Sequence, residues 1–359
     1  MANEPQSFLR RLMRSPAPEG PQPSDLEPGG AEVRRAGVGA RIHDTLHANA
    51  TLGPAIVLLI AVLSFAATTE RFLEPGNLSL IVQQVMVVGT LGIAQTLVIL
   101  TAGIDLSVGA IMVLSSIVMA KLSAESGVPG LLALLVGFGV GTGCGLINGL
   151  LVTRFRLPPF IVTLGTLQVF FALNLYYSDS ATIRGADMSD LLLWTGNTFN
   201  LGDTRITYGS LLMLALFGLA AYALGSTAWG RHVYSTGDDI EAARLSGVRT
   251  NRVLLSVYTL AGLICAIAAW LLIGRIASAS PQAGGLANLD SITAVVIGGT
   301  SLFGGRGLVL GTLFGALIVG VLRNGLTLGG VDVLWQDFAV GILVIVAVAI
   351  DQWIRKVRT

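Results

Sequence analysis

The 359-residue chain is 53% hydrophobic and only 12% charged, with a mean hydropathy of +0.75, an apolar surplus larger than any water-soluble core can hide. A formal net charge of +1 offers no basic face for nucleic acid, and the two cysteines, Cys144 and Cys265, both fall inside apolar runs, where they read as small packing residues rather than a disulfide or a metal pair. The composition is that of a polytopic membrane protein.

Residues 1–50 are polar, rich in Pro and Gly, and carry Arg10, Arg11, Arg14, Arg34, Arg35 and Arg41; they read as a disordered cytoplasmic tail. The first apolar run starts only near Leu52, too far from the start for a cleaved signal peptide, so the first span is expected to be an uncleaved anchor. Apolar periods then predict an all-α protein of about ten transmembrane helices, near 52–69, 78–100, 106–122, 130–152, 159–177, 209–226, 255–274, 288–301, 308–325 and 335–351. The eighth is short enough to enter the membrane and return. These spans form a permease domain over 51–354, followed by a cytoplasmic C-terminus at 355–359.

Alternating the loops between the two sides places 16 Lys and Arg on one face and 6 on the other. The richer set includes the tail, Arg154, Arg156, Arg231, Arg244, Arg249, Arg252, Arg306 and the C-terminal cations; the poorer set is Arg71, Lys121, Arg184, Arg205, Arg275 and Arg323. By the positive-inside rule both termini and the 227–253 loop face the cytoplasm, and the 178–208 loop faces outward.

The second and third spans are separated by Leu100-Thr-Ala-Gly-Ile-Asp-Leu-Ser-Val-Gly109, where Asp105 interrupts an apolar run from Leu78 to Ala120. An ionised Asp at a helix centre costs roughly 2.5 to 3.5 kcal/mol on insertion scales. Gly103 and Gly109 loosen the helix on either side, and Asp105 and Ser107 can cap the half that follows. Two readings stand: a broken helix lining a pathway or forming a hinge, and a short loop at the membrane edge whose Asp is an N-cap. An echo occurs where Val98-Ile-Leu-Thr-Ala-Gly103 resembles Val296-Ile-Gly-Gly-Thr-Ser301 ahead of Gly304-Gly-Arg-Gly307, a paired discontinuity of the kind transporters contain or a fortuitous glycine match. Polar residues inside spans, Gln83, Gln84, Gln95, Asn148 and Asn174, could touch a substrate or bond a neighbouring helix.

The 227–253 loop contains a compact helix signature, Asp238-Asp-Ile-Glu-Ala-Ala-Arg-Leu-Ser-Gly247. Asp238 is the expected N-cap with Glu241 three residues on, and Gly247 the left-handed stop. Ile240, Ala243 and Leu245 give the helix a modest apolar face, suited to a protein partner or to a lipid surface. No phosphate-binding loop occurs, since Lys121 and Lys356 are the only lysines and neither has that context, so the chain is not a P-loop ATPase. His43, His47 and His232 have no ligand cluster around them, and no nucleophile elbow appears.

Thr101-Ala-Gly-Ile-Asp-Leu-Ser-Val-Gly109, Glu241-Ala-Ala-Arg-Leu-Ser-Gly247 and Ile297-Gly-Gly-Thr-Ser-Leu-Phe-Gly-Gly-Arg-Gly307 together resemble the permease subunits of bacterial ABC sugar importers of the ribose, xylose and fructose branch. The resemblance runs from about residue 53 to the end. Glu241, Ala242, Ala243 and Gly247 match the Glu-Ala-Ala-x-x-x-Gly core of the importer coupling loop, without the Leu-Pro ending of many importers. It implies a non-enzymatic subunit of the bacterial inner membrane that binds no cofactor and works as two copies or as a pair with a close relative. A periplasmic sugar-binding protein would feed it, and a cytoplasmic ABC ATPase would consume the ATP. A secondary transporter or facilitator is the competing class.

Overall fold

A computed structural model describes residues 51–202 and 204–356; the expected tail at 1–50 and residues 357–359 lie outside the described residues. The chain is mostly helical. Helices α1 (Leu52–Thr68), α2 (Pro75–Leu100), α3 (Val108–Ala124), α4 (Gly130–Arg154) and α5 (Pro159–Tyr177) come first. A segment with β1 (Ile183–Arg184), the one-turn α6 (Asp190–Leu193) and the hairpin β2 (Thr198–Leu201) with β3 (Thr204–Thr207) follows. Then come α7 (Tyr208–Ser226), α8 (Ala228–Asp238), α9 (Ile240–Leu245), α10 (Thr250–Ile276), β4 (Ser278–Ala279), α11 (Ala287–Ile297), α12 (Val309–Leu328) and α13 (Val333–Lys356).

Each span expected from the sequence coincides with a helix. Among the described residues six of these, α2, α4, α5, α7, α10 and α12, are long and apolar enough to cross a membrane; α1, α3, α11 and the apolar part of α13 are shorter. The eighth is the shortest, 11 residues or about 16 Å at 1.5 Å per residue, half of a hydrocarbon core.

Helix α10 is the central post, packed most extensively on α4 and then on α2 and α3. The α4 contact depends on missing side chains: a Cβ on Gly141 would sit 2.6 Å from the Gly262 carbonyl oxygen, and one on Gly145 would sit 2.9 Å from the Gly262 Cα. Lipid gives no hydrophobic push between helices, so this close backbone approach supplies the dispersion contacts that hold the pair. Tyr258, Phe72, Phe217 and Met86 fill the interior, while Leu59, Leu131, Ile161 and Leu219 are more than half exposed. An apolar outer surface of that extent belongs against lipid tails.

At the Pro75 end of the bundle, β1 pairs antiparallel with β4 (Ile183 opposite Ala279), and β2 with β3 (Thr198 opposite Thr207) through a turn at Gly202, φ +62°. At the other end Leu100, Gly237 and Gly305 come together, and the candidate site is built there.

Candidate functional site

Helix α2 ends in a left-handed C-terminal motif. Ala102, φ +59°, donates its N–H to the Ile99 carbonyl at 2.9 Å, and Gly103 donates to Val98 at 3.1 Å. Gly103 is tightly enclosed: a Cβ there would lie 2.7 Å from the Tyr258 hydroxyl, which would have to move. Residues 104–107 then leave helical geometry inside the bundle, and side chains from four helices take up their polar groups. Thr163 of α5 donates to the Ile104 carbonyl at 3.0 Å, Gln95 of α2 to Asp105 at 2.7 Å, and Asn288 of α11 to Leu106 at 3.3 Å. Asn148 of α4 donates to the Ser107 hydroxyl oxygen at 2.8 Å. Buried irregular backbone is tolerated in a membrane only when it is satisfied in this way.

Asp105 is 1% exposed, and one of its carboxylate oxygens accepts both the N–H of Ser107 at 2.7 Å and its hydroxyl at 2.6 Å. The expected cap is thereby corrected in part: the Ser107 side chain makes no capping bond to α3, being turned back onto Asp105. Gly109, in the first turn of α3, faces the Gly284 carbonyl, which a Cβ would approach to 3.2 Å.

A second interruption separates α11 from α12 and repeats the first in its hydrogen bonds. Gly299, φ +83°, donates to Val296 at 2.9 Å, and Thr300 donates to Val295 at 3.2 Å. The geometry therefore matches Val98 with Val295, one residue earlier than the register of the sequence echo. The backbone bonds fix this pairing, whereas the likeness of small residues slides. The turn continues through Gly304, Gly305 and Gly307, all at positive φ, and the Gly305 N–H reaches the Leu100 carbonyl at 3.0 Å.

The α8–α9 junction rests on both interruptions. Gly237 packs on the Leu100 carbonyl with no room for a Cβ, and a Cβ on Gly305 would meet the Asp238 Cα at 2.8 Å. Tyr234 donates its hydroxyl to the Gly307 carbonyl at 2.8 Å, and burial raises its pKa, which keeps the phenol a donor. The cap of α9 is Asp239 rather than the expected Asp238, which is the last residue of α8; one Asp239 carboxylate oxygen accepts the N–H groups of Glu241 at 2.9 Å and Ala242 at 3.0 Å. Two adjacent aspartates made the choice ambiguous in sequence. Glu241 does not close a capping box; it pairs with Arg244 at 2.9 Å on the exposed side. Gly247 takes the left-handed stop at φ +87°. The expected common apolar face does not form: Ala243 is buried against the chain, whereas Leu245, two residues on and so on the opposite side, is 85% exposed and Ile240 is 45% exposed. A cavity of about 720 Å³, lined among others by Thr101, Gly103, Arg156, Glu241 and Tyr258, lies between α9 and the first interruption.

The five polar span residues divide. Gln95 and Asn148 hold the interruption, whereas Gln83 bonds Ser79 at 3.0 Å, Gln84 receives Arg275 on its backbone carbonyl at 3.5 Å, and Asn174 donates to the Pro281 carbonyl at 2.9 Å. Thr163, Asn288, Tyr234 and Tyr258 went unnoticed in the sequence; Thr163 and Asn288 carried the same signal as Asn148, a polar side chain in a span. Arg323, assigned to an outer loop, lies inside α12 and bonds Asp290 of α11 and Asp337 of α13, each at 2.8 Å. Among the described residues no group of three or more His, Cys, Asp or Glu could hold a metal, and Cys144 and Cys265 are free and buried.

Two interrupted helices, the first held by side chains from membrane helices, joined to each other by a backbone bond and both touched by the α8–α9 junction at one end of the bundle, are the arrangement of a membrane permease. The chain belongs to the family described as branched-chain amino acid transport system / permease component, which matches residues 77–348. It is 54% identical over 321 residues to the fructose import permease protein of Rhizobium meliloti, covering 88% of this chain and 89% of that one. It is 42% identical over 301 residues to the ribose import permease protein of Bacillus subtilis (84% and 92% covered), and 34% identical over 305 residues to the D-allose transport system permease protein of Escherichia coli (85% and 92% covered). The family is one of ABC transporter permease subunits, and the chain is a multi-pass protein of the bacterial inner membrane.

Proposed function

We propose that the chain is the transmembrane subunit of an ATP-driven importer of a monosaccharide such as fructose or ribose. The observation that carries this reading is the α8–α9 junction: Gly237 and Asp238 at the end of α8 sit on the backbone of both helix interruptions, and the capped α9 that follows leaves Leu245 almost fully exposed. The exposed face is the contact for a cytoplasmic ABC ATPase, and ATP-driven movement of α9 passes to Leu100 and Gly305. The interruptions then change which side of the membrane the pathway faces, an alternating-access cycle with no covalent step on the sugar. In this arrangement the permease domain 51–354 spans the membrane about ten times with α11 re-entrant. Both termini and residues 227–253 face the cytoplasm, 178–208 receives a periplasmic binding protein, and two copies form the pathway within lipid. Names of the relatives support a sugar; the family description names branched-chain amino acids.

The test is uptake by proteoliposomes containing the permease with its ATPase and binding protein. ATP-dependent accumulation of D-fructose or D-ribose, with none of leucine, is expected. Sugar equilibration by the permease alone, without ATP, would establish a facilitator instead.

A further inference from the structure

We propose that a cavity of about 370 Å³ between α5, the 281–285 segment and the first turn of α11 is a station for a neutral monosaccharide on the translocation pathway, with Gln168 and Gln282 as its hydrogen-bonding side chains. The inference deepens the sugar-permease reading and rests on it. Gln168 is the middle residue of α5, one of the six helices fit to cross a membrane, and its side chain is exposed. Gln282 is exposed across the same cavity, and among the described residues neither amide has a hydrogen-bond partner. An amide at that depth left against hydrocarbon forfeits several kcal/mol of hydrogen bonding, which favours a cavity that holds water or a solute.

The rest of the lining narrows the solute. Phe171 lies on α5 three residues beyond Gln168, on the same face, and offers an aromatic wall to the C–H face of a sugar ring while the amides meet its hydroxyls. No charged side chain lines the cavity, which leaves the ammonium and carboxylate of an amino acid without partners and suits an uncharged polyol. Its volume falls at the small end of ligand sites, sized for one ring. Asn288 joins the cavity to the first interruption through its bond to the Leu106 carbonyl, so the station lies beside the backbone that the cycle is proposed to move.

The experiment uses the assembled importer in proteoliposomes, with D-fructose and D-ribose as probes, and the single variants Gln168→Leu and Gln282→Leu. Each is expected to lower the maximal uptake rate of the transported sugar about fivefold or more, the loss of a hydrogen bond to hydroxyl, with unchanged assembly on gel filtration. In addition, Gln282→Cys should react with a small methanethiosulfonate reagent and be protected by saturating sugar; both native cysteines are buried. Normal uptake by both leucine variants, or labelling indifferent to sugar, overturns the station. Loss of the two-copy assembly in Gln168→Leu also overturns it, by assigning the amide to a contact between chains. If the wild-type importer moves neither sugar, the sugar-permease reading itself falls, and the station falls with it.

Discussion

The N–H of Gly305 donates to the carbonyl of Leu100 across 3.0 Å, so the last residue of α2 is tied to the glycine turn that follows α11. Two interruptions more than 200 residues apart in sequence thus share one hydrogen bond, and Gly237 closes over the same carbonyl. The α8–α9 junction therefore touches both at once.

Gly237→Ala tests that junction. The added methyl meets backbone, which cannot rotate away as a side chain would, so the junction must separate from Leu100. Overpacking of this kind costs about 1 to 3 kcal/mol, and the expected outcome is a lower melting temperature of the purified permease with ATP hydrolysis uncoupled from uptake. Gly139→Ala in α4, where a Cβ has open space around it, serves as the control and should behave as wild type.

Asp105 holds Ser107 through one oxygen that accepts two bonds, and Asn148 completes the chain. Asp105→Asn retains an acceptor for both, whereas Asp105→Leu leaves the Ser107 N–H and hydroxyl buried without one. The leucine variant should lose about 1 to 3 kcal/mol of stability and most transport, with the asparagine variant between it and wild type. Thermal melting and uptake at matched expression check the order; equal, near-normal transport by both variants would remove the carboxylate from the mechanism.

The sequence made the helices legible because hydrophobic period and span length depend only on neighbours along the chain. Gly103, Asp105 and Gly247 were legible for the same reason: a glycine at the end of a helical run or a carboxylate in an apolar run is a local anomaly, although the left-handed residue after α2 is Ala102 and only Gly247 has positive φ itself. What was not legible depends on who stands opposite. Gln83 and Gln95 lie twelve residues apart on α2 and look alike in sequence, yet only Gln95 faces the Asp105 carbonyl. Arg323 resembled a loop cation at the end of a span, and only the packing of α11 and α13 around α12 shows its two carboxylates. Asp238 and Asp239 are equivalent caps on paper, until α8 ends at the first and leaves the second extended, φ −152°, to begin α9.

The Arg323 triad gives a third expectation. Its guanidinium fastens the short α11 to α12 and α13, and Arg323→Leu leaves the partly buried carboxylate of Asp290 uncompensated. Breaking such a pair costs on the order of 3 kcal/mol, while Arg323→Leu combined with Asp290→Leu should recover part of that loss, because the more buried carboxylate is gone and only the more exposed Asp337 is left without its partner. A double-mutant cycle on the melting of detergent-solubilised permease measures the coupling. Additive effects would show that the pair does not clamp α11.

The contact with an ATPase is best tested at Leu245. Ala243 is 5% exposed, so Ala243→Arg would disturb the permease itself and blur any effect on a partner. Leu245 is 85% exposed on the opposite side of the same short helix, so its replacement leaves the fold unaffected. Burial of a leucine in a partner groove is worth about 1.5 to 3 kcal/mol, so Leu245→Arg should weaken ATPase binding roughly 10- to 100-fold and reduce co-purification accordingly. A helix that instead grips anionic headgroups responds in the opposite sense, because an added arginine near the surface strengthens that attachment by about 1 kcal/mol. Measured side by side, ATPase recovery and binding to vesicles of anionic lipid separate the two: lost recovery with unchanged melting places Leu245 in the protein interface, and full recovery with tighter vesicle binding assigns α9 to the membrane surface.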